Sequence, residues 1–128
     1  MTAMSDYLEN ALINATLRGQ AYTAPTTVYM ALFTSDPTDA GTGTEVSGGA
    51  YARQAITFSA PTNGSTSNSA DVLFPVATAG WGTVSYFAIY DAATSGNMLY
   101  QGVLTTAKAI SSTDQLKVAA GDITITLA

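Results

Sequence analysis

The first apolar pattern along the chain is that of an amphipathic helix. Within residues 5–18, apolar side chains recur at positions i, i+3, i+4 and i+7, a spacing that places them on one helix face. They are Leu8, Ala11, Leu12 and Ala15. Asp6 and Glu9 have the spacing of a capping box, and Gly19 follows as a stop signal. We expect this helix either to pack on the chain's own sheet or, as a terminal arm, to grip a neighbouring subunit.

After the helix the pattern changes to the alternation that is typical of β-strands. Residues 26–34 form the clearest strand. Their apolar side chains point to both faces, so this strand is expected to be central in a sheet. One face carries Val28, Met30 and Leu32, and the other carries Tyr29, Ala31 and Phe33.

Residues 50–59 and 81–91 also alternate clearly enough for side chains to be assigned to faces. In the first segment one face carries Ala52, Ile56 and Phe58, and the other carries Tyr51, Arg53 and Thr57. In the second, one face carries Trp81, Phe87 and Ile89, and the other carries Val84, Tyr86, Ala88 and Tyr90. Shorter strands are predicted at 70–76, 98–105, 114–119 and 122–128, with turn-forming residues between them.

Together these elements predict a mainly β protein. Its fold is expected to be a single-domain antiparallel β-sandwich or small barrel with one short N-terminal helix. A length of 128 residues agrees with one domain. The helix or arm is assigned to residues 1–21, and the β-sandwich to residues 22–128 as one structural unit. Without an internal repeat, such a chain can form a knob but not a long shaft.

The composition suggests that part of the surface is covered by other chains. Only 10% of the residues are charged, against about 25% in a typical soluble domain, and 47% are hydrophobic. The mean hydropathy is +0.20. A surface so poor in charge is expected to be completed by oligomerisation or by docking on a larger particle.

The charged and reactive residues exclude several functions. The net charge is −5 and the four cations are scattered, so neither nucleic acid nor a membrane surface is expected as a partner. Without Cys or His, the chain lacks disulfides, thiolate chemistry, Cys/His zinc sites and any imidazole base. We therefore expect no enzyme activity and no cofactor. The N-terminus lacks the features of a signal peptide, so folding in a cytoplasm is expected.

The glycine-rich stretch SDPTDAGTGTEVSGGAYARQ, residues 35–54, is the main candidate for a ligand site. A phosphate-binding loop needs a Lys and a helix after its last glycine, and neither follows here. Asp36, Asp39 and Glu45 are oxygen donors suited to Ca²⁺, although their spacing is not that of an EF-hand. We favour a long connection whose glycines form turns and whose exposed length provides a contact surface.

The Tyr and Trp side chains are further candidates, since aromatic rings with a polar tip are frequent at protein interfaces and in sugar sites. Most lie in predicted strands and are expected to pack there. Trp81 lies between Gly80 and Gly82, where its ring is expected to have little local cover. The candidate interface residues are Leu8, Leu12, Tyr51, Arg53, Trp81 and Tyr86.

Several stretches carry a resemblance to a known family. They are YTAPTTVYMALFTSDP, GTEVSGGAYARQ, WGTVSYFAIYD, SGNMLYQG and AAGDITITL. Over nearly its whole length the chain resembles the small tail fibre proteins of tailed bacteriophages. The resemblance implies a non-enzymatic structural protein of the virion, assembled in the host cytoplasm. It carries over no catalytic residue.

The resemblance leaves the position on the particle open. Tail fibre modules and the small β-rich decoration proteins of phage heads are both often trimeric. A homotrimer is therefore favoured, with major capsid or tail proteins as further partners. One alternative is a module of the tail tip that binds host surface glycan through Trp81 and nearby Tyr residues. The other is a small depolymerising enzyme, which the lack of His, Cys and a recognisable pair of acids disfavours.

Overall fold

The computed structural model describes residues 2–127 of the chain. This part contains one α-helix and nine β-strands. All strand pairings are antiparallel. The predicted fold class, mainly β with one short helix, is confirmed. In chain order the elements are β1 (Thr2–Met4), α1 (Asp6–Leu17), β2 (Val28–Phe33), β3 (Gln54–Ile56), β4 (Ser65–Ser67), β5 (Val72–Leu73), β6 (Gly82–Tyr90), β7 (Met98–Ile110), β8 (Lys117–Val118) and β9 (Thr124–Thr126).

The strands form a five-stranded sheet and two two-stranded ribbons. The strand order in the sheet is β1-β7-β6-β2-β3, and the ribbons pair β4 with β9 and β5 with β8. The main core lies between the sheet and the ribbons, so the fold is a sandwich whose second layer is built of short pieces. The sheet contributes Met30, Leu32, Phe87 and Ile89, and the ribbons and their flanks contribute Phe74, Val118 and Ile125.

Strand β2 is buried on both faces, as its sequence predicts. Met30 and Leu32 lie in the main core, while the opposite face of the sheet carries a second, smaller cluster. The second cluster consists of Ala31, Phe33, Ala88 and Met98. The segment 34–53 crosses this second face, where Gly41 approaches the side chain of Met98. Strand β2 pairs with β6 on one side and β3 on the other, so it is central.

Ser5, and not Asp6, is the N-cap of helix α1. The Ser5 hydroxyl accepts the backbone N–H of Leu8 at 3.1 Å and donates to the carbonyl of Met98 on β7. The predicted capping box of Asp6 and Glu9 is therefore wrong. Both acids lie in the first turn of the helix, where they complement the positive end of its dipole.

The end of α1 agrees with its prediction. The helix stops at Leu17, and Gly19 adopts a left-handed φ of +66° that favours glycine. The N–H of Gln20 then donates to the carbonyl of Asn14 at 3.0 Å, which satisfies one of the last carbonyl groups. No helix within residues 2–127 has the length and hydrophobicity needed to cross a membrane.

The residues before the helix form a strand that the sequence did not predict. Thr2 pairs with Gly102 and Met4 with Tyr100, so β1 covers the outer edge of β7 over these positions only. The missed strand β4 is equally short. Three residues are too few for a period of two to stand out from chance.

An irregularity in the pairing of β6 with β7 places Val84 on the face of the sheet opposite the predicted one. The register pairs Val84 with Lys108 but Tyr86 with Val103, so one residue of β6 lies opposite residues 104–107 of β7. A bulge of this kind shifts the alternation of side chains. Val84 is consequently buried in the main core, and its predicted place on the face of Tyr86 is wrong.

A tight turn at residues 48–50 changes which side chains of residues 50–59 face the core. Only Gln54–Ile56 is strand, because residues 48–50 all have positive φ and turn the chain just before it. Tyr51 consequently packs against the main core, while Ala52 is exposed. The predicted alternation, which put Ala52 on the apolar face and Tyr51 opposite, is wrong for both residues.

Candidate contact surfaces

A two-pronged ion pair between Arg53 and Glu45 spans the glycine-rich segment. The Arg53 Nε lies 2.9 Å from Glu45 Oε2, and Arg53 Nη2 lies 2.9 Å from Glu45 Oε1. Only 8% of the Arg53 side chain is exposed. Charge-assisted bonds in this geometry are strong and directional, so they hold the two ends of the turn at residues 45–53 together.

Arg53 also holds the turn between β6 and β7. Its Nη1 donates to the carbonyl oxygens of Ala92 at 3.0 Å and Ser95 at 2.8 Å. The guanidinium carbon lies 3.7 Å from the centre of the Tyr90 ring, within the range of a cation–π contact. This one side chain therefore holds two loops against the sheet, and its charge is paired with groups of the same chain.

The hydroxyl of Tyr51 belongs to the same cluster. It donates to Glu45 Oε2 at 2.7 Å and accepts the backbone N–H of Leu32 at 3.0 Å. Burial and, after it, the hydrogen bond to the Glu45 carboxylate raise the pKa of Tyr51 well above its ordinary value. The phenol is therefore a neutral structural donor rather than a group that exchanges protons.

Trp81 is buried, and the expectation that its ring has little cover is wrong. The side chain is 5% exposed, and its indole N–H donates to the carbonyl of Gly49 at 2.9 Å. Its ring meets that of Tyr51 edge-on, with the centroids 5.5 Å apart. The local sequence could not show this cover, because Gly49 lies 32 positions away along the chain. Trp81 therefore contributes to the stability of the core and is not part of an exposed contact surface.

The three acids of the glycine-rich segment have separate partners. An oxygen of Asp36 accepts a backbone N–H two residues on at 2.8 Å, and one of Asp39 accepts the side-chain amide of Gln101 at 3.1 Å. Glu45 is paired with Arg53. Within residues 2–127, no three acidic side chains come together as a metal site would require. In this structure the segment is a connection that packs on the sheet.

Helix α1 has an outer face that the sequence analysis did not single out. Ile13 and Leu17 lie one turn apart and are 53% and 79% exposed, whereas Leu8 is the buried residue of the helix. Asp6 and Glu9 lie on the same side in the first turn. We call these four exposed residues, Asp6, Glu9, Ile13 and Leu17, the outer helix face. The signal for it was a second apolar pair at i and i+4, outside the predicted stripe.

A groove of about 800 Å³ opens between the outer half of β7 and the ribbons. We call it the β7 groove. It is open because β1 reaches only to Gly102 along the edge of β7, and because residues 104–107 have no partner in β6. Its floor consists of the core side chains Phe87, Leu116, Val118 and Ile123. Its rim includes Val103, Leu104, Lys108, Lys117 and several threonines.

A comparison with known families identifies the class of protein. Residues 3–126 match a family described as podophage GP4 fiber I protein gp80. The chain belongs to this gp80 fiber family. The resemblance to phage tail fibre proteins is thereby confirmed, and the gp80-type chain is a structural fibre component of a phage virion. The matched range includes the outer helix face and all lining residues of the β7 groove except Thr2. A comparison with curated proteins gave no match.

The six predicted contact residues do not form one surface in this gp80-family chain. Tyr51, Arg53 and Trp81 come together, but their contacts are with each other, with loop carbonyls and with the core. Leu8 is 4% exposed and packs inside the fold. Leu12 and Tyr86 are half-buried and lie on different elements.

Proposed function

We propose that the chain is a non-enzymatic subunit of a phage fibre, which assembles with further copies of itself on the virion. The observation that carries this proposal is the match of residues 3–126 to a phage fiber protein family. Two uncovered apolar features, the outer helix face and the β7 groove, support self-assembly. The small share of charged residues, 10%, supports it as well.

The partners of the carboxylates support a non-enzymatic role. Asp91, Asp114 and Asp122 each accept a backbone N–H of their own turn, at 2.7, 2.8 and 3.2 Å. Asp71 accepts the N–H of Ala120 at 2.9 Å. Glycoside hydrolysis needs two carboxyl groups that face each other across a cleft. Asp91, Asp114 and Asp122 instead stabilise the backbone of their own turns, which is an ordinary role for Asp. Asp71 bonds to the backbone of a segment 49 positions away and pairs with Lys117.

The proposed position is a fibre of the tail, with tail proteins as partners and three copies in the assembly. The fiber description of the family favours this position over decoration of the head. Three copies agree with the resemblance to tail fibre modules, which are often trimeric. Decoration of the head, with the major capsid protein as partner, is the alternative that the following experiment separates.

Immunogold electron microscopy on purified virions tests this function. An antibody against the chain should label the fibres at the tail, and an amber mutation in its gene should remove both the label and the fibres. Label spread over the head would identify a decoration protein. Virions that contain none of the chain would overturn the proposal.

A second function, binding of host surface glycan, is favoured by a recess of about 390 Å³ beside the start of α1. Its lining combines aromatic rings with polar groups that can bond to sugar hydroxyls: Tyr7, Tyr90, Asn97, Asp6 and Asp39. Trp81 is buried and is not available to such a site. Binding to host polysaccharide that is lost in Tyr7→Ala but kept in the exposed-site control Val76→Ala supports this function. Failure of the unaltered chain to bind contradicts it.

A further inference from the structure

The β7 groove has an exposed apolar residue on its rim, above core side chains that are themselves buried. Phe87 and Ile123 lie in its floor, and Val103 on its rim is 48% exposed. Beyond Gly102 the outer edge of β7 also lacks a neighbouring strand among the described elements. Another chain that covered the rim at Val103 would remove apolar surface from water, which is favourable.

Three charged side chains of the described residues line the groove: the two lysines and Asp122, whose carboxylate accepts the N–H of Ala119 at 3.2 Å. Both lysines of the sequence, Lys108 and Lys117, line it. Lys117 lies 3.4 Å from Asp71 in an exposed pair. Lys108 is therefore the groove cation that is best placed to meet an acidic partner.

The outer helix face has the complementary character. Asp6 and Glu9 make its first turn acidic, and Ile13 and Leu17 follow as exposed apolar side chains. A helix that presents apolar residues at i and i+4 is suited to a hydrophobic groove. The spacing from Glu9 to Ile13 is again one turn, so an acid and an apolar anchor lie side by side.

We propose that the outer helix face of one copy docks in the β7 groove of a second copy. Ile13 and Leu17 then cover the apolar rim at Val103 and Leu104, and Glu9 lies beside Lys108. This inference rests on the proposed function, a self-assembling fibre subunit. The contact is between copies because Ser5 anchors α1 at the start of β7, and none of the described groove residues belongs to the helix.

The contact has a consequence for assembly, because the two surfaces are different. Each copy uses its helix on one neighbour and its groove on the other, which makes the contact heterologous. Heterologous contacts close into a ring or continue as a filament. Closure after three copies would give the trimer proposed above.

A charge exchange in the intact chain tests the contact. Lys108→Glu and Glu9→Lys each place like charges side by side, so each alone should weaken association about tenfold or more. The double variant pairs opposite charges in reverse and should recover most of the association. Ile13→Ser with Leu17→Ser should abolish it. Sedimentation equilibrium measures all four variants, and circular dichroism shows whether each remains folded.

Two further measurements make the result specific. Leu73→Ser changes a residue that is 55% exposed outside both surfaces, and it should leave association unchanged. A zero-length reagent that joins amines to carboxylates should link Lys108 to Glu9 or Asp6. Mixing copies labelled with different nitrogen isotopes should show by mass spectrometry that this link joins two chains.

Three results would overturn the contact: a monomer at about 100 μM, where a contact of micromolar Kd would be filled; an oligomer unaffected by either single charge variant; or no recovery in the double variant. The virion experiment tests the proposed function separately from this contact. A chain that is present on fibres but monomeric in solution contradicts only the contact, and an oligomer that is absent from virions contradicts only the proposed function.

Discussion

The guanidinium of Arg53 lies 3.7 Å from the centre of the Tyr90 ring, on the face of the sheet opposite the main core. With the Glu45 carboxylate beside it, this cation connects the glycine-rich segment, the turn after β6 and the sheet. The order of two surface loops therefore depends on one buried charge and its partner.

Removing the partner of Arg53 should destabilise the fold strongly. Glu45→Gln leaves a charge that is only 8% exposed without its countercharge, which should lower the free energy of unfolding by about 2–3 kcal/mol. Urea unfolding measures this loss. Lys117→Gln breaks an exposed ion pair with Asp71 and serves as the control, with no measurable change expected. Equal effects of the two variants would contradict the structural role of the Arg53 cluster.

The stabilising effect of the Tyr51 hydroxyl should weaken at high pH. Its folded-state pKa lies above the unfolded value of about 10, so the folded chain holds the proton more tightly. The contribution is complete below pH ~10 and falls as the pH rises above it, because the unfolded state then loses its proton first. The difference in unfolding free energy between the unaltered chain and Tyr51→Phe should therefore shrink above pH ~10. A difference that stays constant with pH would contradict this assignment.

Gly49 and Gly48 form a matched pair for testing the close approach to Trp81. Both have left-handed φ, +58° and +77°, so alanine at either position should cost about 1 kcal/mol for the backbone conformation. A Cβ at Gly49 would also lie 2.7 Å from the carbonyl oxygen of Ala79, whereas one at Gly48 meets nothing within 4 Å. We expect Gly49→Ala to lower the unfolding free energy by about 1–3 kcal/mol more than Gly48→Ala. Thermal melts compare them, and equal losses would argue against the close contact.

The helix cap can be tested by comparing two adjacent residues. Ser5→Ala removes the acceptor for the N–H of Leu8 and the donor to Met98, and should cost about 1–2 kcal/mol. Asp6→Ala removes only an exposed acid of the first turn and should cost a few tenths of a kcal/mol, roughly. Chemical unfolding distinguishes them. A larger loss of unfolding free energy in Asp6→Ala than in Ser5→Ala would instead support the capping box predicted from the sequence.

Sequence pattern was a good guide wherever one element decided the outcome. The two apolar faces of β2 were readable because a strand alternates strictly, and both faces are in fact buried. Gly19 marked the end of α1 because the left-handed conformation is a property of that single residue. The faces of Val84 and Tyr51 were misread because an irregular register and a tight turn changed the phase of the alternation. Nothing in the spacing of apolar residues reports such a change.

Composition and periodicity were sufficient to establish a small, mainly β protein, because both are local properties of the chain. The quoted stretches were likewise sufficient for the resemblance to phage fibre proteins. Only the folded arrangement decided which side chains remain at the surface. Trp81 is covered by Gly49, and Arg53 is covered by Tyr90, through contacts between segments that are distant in sequence. The same packing leaves Leu17 and the β7 groove exposed. Burial is a property of these long-range contacts, so no reading of one segment at a time could supply it.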